Sequence, residues 1–337
     1  MNPVRSKKSQ ISAGSLEANR TSNGMKSIRE VVDLKDKRVF VRVDWNVPNE
    51  LHSGQAVVTD DFRINKSLPT LEYLKGAGAK VTIATHLESG GSSVDFLNEY
   101  APEGIEFLGN LRDNPGEKAN SPEFAKELAS GFDIYVNEAF SVSHREHASI
   151  VGVPLFLPSF AGIQFMEEVN NLSKAFDPPH PFLFILGGAK FETKLPLVEK
   201  FLNIADHIFI AGANAKPASK TLLRDNPKII FSHGDIEALD ADHETLESLK
   251  SQIENSNFIL WNGPLGKYED GLKEGTLALT KILAESGKPT IVGGGDTLAA
   301  IRELNLFDKF AFVSTGGGAM LDFLATGTLP GIEALRQ

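Results

Sequence analysis

Short apolar runs and longer amphipathic segments alternate along most of the chain. Val39 to Val43, Lys80 to Ala84, Ile105 to Leu108, Ile134 to Val136, Phe182 to Leu186, Ile208 to Ala211, Phe258 to Trp261, Thr290 to Val292 and Phe310 to Val313 each predict a strand. Helical periodicity fills the intervals, so the pattern predicts an α/β protein. Its parallel sheets are covered on both faces and bind ligands at the carboxyl ends of strands. Ala161 to Ala175 predicts a helix with Ile163, Phe165, Met166, Val169 and Leu172 on one apolar face. It stops before Asp177-Pro178-Pro179-His180-Pro181, where proline cannot continue a helix and restricts its predecessor. This predicts a connector at 161–176 between an N-terminal lobe, 25–160, and a C-terminal lobe, 177–328.

The remaining stretch, 1–24, is polar and rich in Ser, Asn and basic residues, without the apolar core of a secretory signal. It reads as a disordered leader ahead of a natural start at Met25, with a basic transit peptide as the other reading. A chain of 337 residues suits two domains. Its net charge of −10 argues against nonspecific nucleic-acid binding, so an anionic small substrate requires a local basic cluster. No apolar run approaches the roughly 20 residues of a membrane span. The lack of cysteine excludes disulfides, thiolate metal sites and cysteine nucleophiles, and fits a reducing cytoplasm.

In the first half, Arg42-Val43-Asp44-Trp45-Asn46-Val47-Pro48 closes a strand with polar groups. Asp44 and Asn46 point the same way if the strand continues; the alternative is a polar turn. Basic groups recur at further strand ends or loops: Arg63, His86, Arg112 and Arg145 within His144-Arg145-Glu146-His147. Arginines gathered at one end of a sheet would hold a small polyanion bidentately. The two histidines, three apart and without a third obvious ligand, make a poor metal site.

The second half carries glycine-rich turns after apolar runs: Gly187-Gly188-Ala189-Lys190, Trp261-Asn262-Gly263-Pro264, Gly293-Gly294-Gly295-Asp296-Thr297 and Ser314-Thr315-Gly316-Gly317-Gly318. Glycine lets backbone N–H groups approach a phosphate, and a helix starting after it adds its positive end. Lys190 and Lys194 share a face if a helix starts after the glycines, where both ammoniums would reach phosphates at its N-terminus. The segment is not a Walker A motif, because the lysine follows alanine. Asp296 is placed to hold Mg²⁺ on nucleotide phosphates, or to cap the following helix.

Those motifs, in this order from Lys26 onward, resemble phosphoglycerate kinase. They include Thr59-Asp60-Asp61-Phe62-Arg63-Ile64, Asn110-Leu111-Arg112 with Pro115-Gly116-Glu117, and Tyr135-Val136-Asn137-Glu138-Ala139-Phe140. The resemblance implies two Rossmann-like lobes about a cleft, with Leu329 to Gln337 folding back on the N-lobe. It implies reversible phosphoryl transfer from 1,3-bisphosphoglycerate to ADP, giving 3-phosphoglycerate and ATP, in a cytoplasmic monomer without nucleic-acid or membrane partners. Carried over by position, Asp44, Asn46, Arg63, His86, Arg112 and Arg145 bind the glycerate and its phosphate. Arg63, Lys190 and Gly316, Gly317 and Gly318 serve the transferring group. Lys194, Asn262, Gly293, Gly294, Gly295 and Thr297 serve the nucleotide phosphates, Asp296 the Mg²⁺, Glu269 the ribose, and Gly212 and Ala213 the adenine. A noncatalytic binding descendant and a kinase for another small carboxylate are the alternative readings.

The chain departs from the family where His86-Leu87-Glu88-Ser89-Gly90 replaces His-Leu-Gly-Arg-Pro, removing an arginine and adding an acid. Glu146 stands in place of a small residue and Thr193 in place of Asp. The chain also reads as shortened between His86 and Asn110 and between Ala215 and Phe258, with Glu237-Ala238-Leu239-Asp240 as a remnant of the second stretch.

Overall fold

The computed structural model describes residues 24–52, 55–88, 93–232 and 239–337. The expected leader, up to residue 23, lies outside them, as do Ser89, Gly90, Glu237 and Ala238. The N-lobe contains β1 (Arg38–Val43), β2 (Asn49–His52), β3 (Gln55–Val58), β4 (Lys80–Thr85), β5 (Glu106–Asn110), β6 (Ile134–Glu138) and β7 (Ser159–Ala161). Its helices are α1 (Phe62–Gly76), α2 (Pro115–Lys118) and α3 (Pro122–Ala129), and α4 (Ile163–Ser173) connects the lobes. The C-lobe contains β8 (Phe182–Leu186), β9 (His207–Ile210), β10 (Ile229–Phe231), β11 (Phe258–Asn262), β12 (Thr290–Gly293) and β13 (Phe312–Val313). Around them lie α5 (Phe191–Phe201), α6 (Ala215–Ser219), α7 (His243–Glu254), α8 (Glu274–Ser286), α9 (Gly295–Glu303) and α10 (Gly318–Thr326), and α11 (Pro330–Leu335) ends the chain.

Both main sheets are parallel and share one plan. The N-lobe order is β5-β4-β1-β6-β7 and the C-lobe order is β10-β9-β8-β11-β12-β13. In each, the chain builds outward from a central strand, then returns to its other side. That places a topological switch point between β1 and β6 and another between β8 and β11, where open α/β sheets bind ligands. Every residue of β6, β8 and β11 is buried, as strands covered on both faces require. The hairpin β2-β3 is antiparallel and was not expected from the sequence, nor were the three-residue strands β7 and β10.

Helix α4 is held where it leaves the N-lobe. Glu138, the last residue of β6, accepts the N–H groups of Gln164 and Phe165, each at 3.0 Å, and the hydroxyl of Thr70. Those amides are orphan donors of a helix N-terminus, so a carboxylate there satisfies them and meets the positive end of the dipole. The approach requires Gly162: a Cβ there would lie 2.0 Å from Glu138 Oε2. One apolar cluster runs from Phe40 and Tyr135 through Phe165 and Val169 of α4 to Phe184, Phe201 and Phe323. The opposite faces of the two sheets have separate clusters. Helix α11 packs back on the N-lobe, with Ile332 and Leu335 buried and Gly331 N–H donating to Ser143 O at 2.9 Å.

Candidate active site

The N-lobe half lies at the β1/β6 switch point. Strand β1 ends at Val43, and the buried Asp44 accepts the Asn46 N–H on Oδ1 at 3.3 Å. Asp44 and Asn46 therefore do not share a strand face; the chain makes a polar turn instead. Asp44 Oδ2 accepts from Arg63 Nη1 at 3.1 Å and from the Ser141 hydroxyl. Burial raises this carboxyl's pKa, but Arg63, His86, Ser141 and Arg42 together outweigh it and hold the group below its usual range. Arg63 is the second residue of α1 and not at a strand end, and its Nη1 also reaches the Asn46 carbonyl at 3.3 Å.

His86 directly follows β4, and a residue outside the sequence-predicted set fixes its tautomer. Arg42, 1% exposed within β1, donates Nη2 to His86 Nδ1 at 3.0 Å. Nδ1 is thus the acceptor, leaving the proton on Nε2. Arg42 Nε donates to Ser149 Oγ at 2.9 Å, and Ser149 donates to buried Glu117 through its hydroxyl at 2.6 Å and its amide at 2.9 Å. A charge within an apolar strand was the available sequence signal for Arg42.

Arg112 sits in the single turn Leu111–Asp113 after β5. Its side chain is 5% exposed, and its Nε and Nη2 have no hydrogen-bond partner among the described residues. Arg145 lies beside His144, its Nε 3.3 Å from His144 Nε2. Burial first, then Arg42, Arg112 and Arg145, lower His86 to about 3, with Asp44 opposing them. Burial and the same three arginines, with Lys118, lower His147 to about 4. Burial and Arg145 also lower His144. Burial and the surrounding guanidiniums together disfavour the charged imidazoles, and buried guanidinium nitrogens without a partner among the described residues call for an anion.

The C-lobe half lies at the β8/β11 switch point, where Gly187 N–H donates to Asn262 O at 2.9 Å and Gly188 N–H to Pro264 O at 2.7 Å. Lys190 is exposed and left-handed (φ 63°), and it precedes α5 as its N-cap. Lys190 and Lys194 consequently do not share a helix face. Lys194 is buried within α5, donates Nζ to Gly187 O at 2.7 Å, and is lowered by burial to about 8. Asn214 Nδ2 donates to the same carbonyl at 2.7 Å.

A cavity of about 700 Å³ opens beside this turn, walled by Gly188, Lys190, Gly212, Ala213, Pro264, Tyr268, Glu269 and Asp296. That is ample for a nucleotide. Gly293, Gly294 and Gly295 lead from β12 into α9, which starts at Gly295, so Asp296 belongs to the first turn and is not its cap. Burial first, then nearby Glu269, raises the Asp296 carboxyl. Thr297 is buried and accepts the Gly263 N–H at 3.1 Å, so its oxygen braces the turn after β11. Asn262, also buried, places Nδ2 3.8 Å from Met320 Sδ.

The glycine turn before α10 brings the halves together. Gly316 N–H is already engaged by Ser314 Oγ at 3.0 Å, so of the three expected donors only Gly317, the N-cap, and Gly318, the first helical residue, lead into the helix. A Cβ on Gly316 would lie 2.8 Å from Phe140 of the N-lobe. A water-sized space of about 10 Å³ is shared by Asp44, Arg63 and Ser141 with Thr315. Glu168 of α4, fully buried, secures this turn. Its Oε1 accepts Thr315 N–H at 2.6 Å, Thr315 Oγ1 at 2.7 Å and Gln164 Nε2 at 3.1 Å, and its Oε2 accepts Ser314 Oγ at 2.7 Å. Sequence reading missed Glu168 too, although its place three residues after Phe165 puts an acid on the apolar face. Across the other side of the cleft, Arg302 pairs with Asp60, and Phe62 stacks on Phe307 at 4.8 Å.

Two Rossmann-type lobes, one offering a basic anion pocket and the other a glycine-walled cavity, define a two-lobed α/β enzyme of the kinase type. The family model for phosphoglycerate kinase matches residues 28–99, 90–223 and 214–327, and the chain belongs to that family. The phosphoglycerate kinase of Coprothermobacter proteolyticus is 34% identical over an alignment of 391 positions, covering 92% of this chain and 98% of that protein. That of Dictyoglomus turgidum is 35% identical over 390 positions, covering 90% and 97%. Both alignments exceed the 337 residues present here, so they open gaps in this chain. Among solved structures, phosphoglycerate kinase from Coxiella burnetii superposes with a TM-score of 0.78 at 29% identity, covering 92% of this chain and 98% of that one. The enzyme from Pyrococcus horikoshii OT3 gives 0.80 at 25% identity, with the same coverage.

Proposed function

We propose that this chain catalyses reversible phosphoryl transfer between 1,3-bisphosphoglycerate and ADP, giving 3-phosphoglycerate and ATP. The observation that carries the reading is the meeting of half-sites: Arg63 and Asp44 share one small space with Thr315, two residues before Gly317 and the start of α10. The glycerate and its phosphate would lie among Asp44, Asn46, Arg63, His86, Arg112 and Arg145. The nucleotide would occupy the cavity walled by Gly212, Ala213 and Glu269, its phosphates reaching Lys190, Lys194 and the α9 N-terminus. Asn262 and Thr297 would support that end of the site by shaping the turn after β11.

An oxygen of the ADP β-phosphate attacks the acyl phosphorus; the bond from phosphorus to the C1 carboxyl oxygen breaks, and the carboxylate leaves with the electron pair. Neither group needs a proton transferred, because both are ionised near neutrality, so no general base is required. Catalysis is positioning and charge neutralisation, with Arg63 and Lys190 flanking the group in flight and the Gly317 and Gly318 amides facing it. The Asp296 carboxylate lines the cavity beside Glu269, and burial works against its charge, a setting that fits a hard cation. Bound there with the nucleotide phosphates, Mg²⁺ would supply further neutralisation. The proposal extends to a monomer in the cytoplasm, supported by resemblance and by a composition without cysteine.

The test is a coupled turnover assay on the purified chain with 3-phosphoglycerate and Mg-ATP, beside Lys190→Ala. Native turnover should exceed the variant's by about a hundredfold or more, the range typical of losing one electrostatic donor to the transition state. Native turnover no greater than the variant's at saturating substrate would refute the reading.

A further inference from the structure

Two acids of the N-lobe pocket are buried and engaged, Asp44 by Arg63 and Glu117 by Ser149, whereas a third, Glu88, is exposed. Glu88 follows His86 and Leu87 at the end of β4, and its carboxylate lies 3.8 Å from Arg112 Nη1 and 4.0 Å from His86 Nε2. Both separations are too long for a direct hydrogen bond. The Glu88 side chain is 65% exposed, whereas that of Arg112 is 5% exposed, with Nε and Nη2 lacking a partner among the described residues. The acid thus stands at the rim of the pocket, near enough to act on its charge and too far to satisfy its buried donors. His86 presents its Nε2 proton toward the same rim, since Nδ1 is engaged by Arg42.

We propose that Glu88 is a specificity-determining residue of the phosphate seat, an internal counter-ion that competes with the substrate's phosphate for Arg112 and His86 and limits affinity for a doubly charged group. The inference rests on reading Arg112 as that seat. A phosphate monoester carries close to two negative charges at neutral pH, so it is repelled by a neighbouring carboxylate about twice as strongly as a singly charged ligand is. Glu88 therefore narrows the advantage of phosphorylated ligands over simple carboxylates. The interaction reaches partly through solvent and must weaken with salt.

The decisive comparison is Glu88→Gln against the native chain, with Glu127→Gln on α3 as a control for loss of an exposed acid elsewhere on the lobe. Steady-state kinetics give KM for 3-phosphoglycerate, and calorimetry with inorganic sulfate gives binding without turnover. Glu88→Gln should lower KM and the sulfate Kd together by about tenfold at low salt, with the gap shrinking at 0.5 M salt, while Glu127→Gln follows the native chain. If Glu88 instead serves to hold Arg112 in position, the sign reverses and both constants rise. A rise, no change, or an equal fall in the Glu127 variant would overturn the proposal. If the native chain shows no turnover, the parent function fails, and the sulfate comparison still decides the role of Glu88.

Discussion

Replacing Glu168 by alanine and by glutamine should separate its hydrogen-bonding role from its charge. The carboxylate accepts Ser314 Oγ, Thr315 N–H, Thr315 Oγ1 and Gln164 Nε2, all at 2.6 to 3.1 Å. Alanine leaves buried donors at Ser314 and Thr315 without an acceptor. Each unsatisfied group costs about 1–3 kcal/mol, and with the hydroxyls free to rotate toward other partners a total of about 3–5 kcal/mol is expected. Glutamine preserves most of the pattern. Its carbonyl takes the place of Oε1 and accepts the same three donors, while its amide donates to Ser314 Oγ, reversing that bond and leaving the Ser314 hydroxyl proton to find another acceptor. That oxygen also accepts the Gly316 N–H, and a hydroxyl has lone pairs for both. Losing the charge also relieves the burial that raises the Glu168 carboxyl. The lost acceptor and the relieved charge burial oppose each other, so the glutamine variant should lie within about 2 kcal/mol of the native protein, closer to it than alanine. Urea unfolding followed by circular dichroism measures the stabilities, and turnover reports the state of the Gly317-Gly318 turn, with alanine losing at least about tenfold in kcat and glutamine less than about threefold. An alanine variant within 1 kcal/mol of native, or a glutamine variant as damaged as alanine, would refute the assignment.

Anion binding to the N-lobe should take up protons. His86 and His147, lowered to about 3 and about 4 in the free protein, rise when an anion offsets Arg112 and Arg145. Sulfate affinity should therefore increase as pH falls from 6.5 toward 4, and calorimetry in two buffers of different ionisation enthalpy at pH 5 should show proton uptake; its absence would exclude these histidines as neighbours of the bound anion. A second pH effect concerns Glu138, raised by burial to about 7 from an ordinary 4.5. The folded chain then retains a proton that the unfolded chain releases, so this group's contribution worsens as pH climbs from 4.5 to 7. Relative to Glu138→Gln, the native protein should lose about 3 kcal/mol across that window, and equal slopes for the two proteins would contradict it.

The two sheets were legible in sequence because parallel strands covered on both faces are continuous apolar runs: Phe182 to Leu186 has no other plausible home. The hairpin of β2 and β3 escaped because Asn49–His52 is short and largely polar, and β7 and β10 offer only three residues each. At the site, residue types announced themselves where they followed a strand, as His86 and Asp296 did. Backbone detail did not. Nothing in Lys190 reveals its left-handed conformation, and nothing in Gly316 reveals that Ser314 has claimed its amide. Arg42, Glu117, Glu138 and Glu168 were hardest to see, because a charged residue is ordinarily assigned to the surface. All four are buried, and each is satisfied by partners distant in sequence, such as Ser149 for Arg42 and Thr315 for Glu168.

The apolar cluster that passes through α4 has a consequence for how the protein comes apart. Phe140 meets Phe165 at 5.6 Å and Phe323 at 6.0 Å, so rings from the N-lobe, the connector and the C-lobe touch one another without an intervening polar layer. A lobe that melted alone would strip this cluster of one wall and expose its partner's apolar surface to water. Helix α11 adds a second tether, since the last turn of the chain is buried against the first lobe. Denaturation should accordingly be a single cooperative event, and a cut between the lobes should yield two pieces that dissolve poorly apart and recover solubility together.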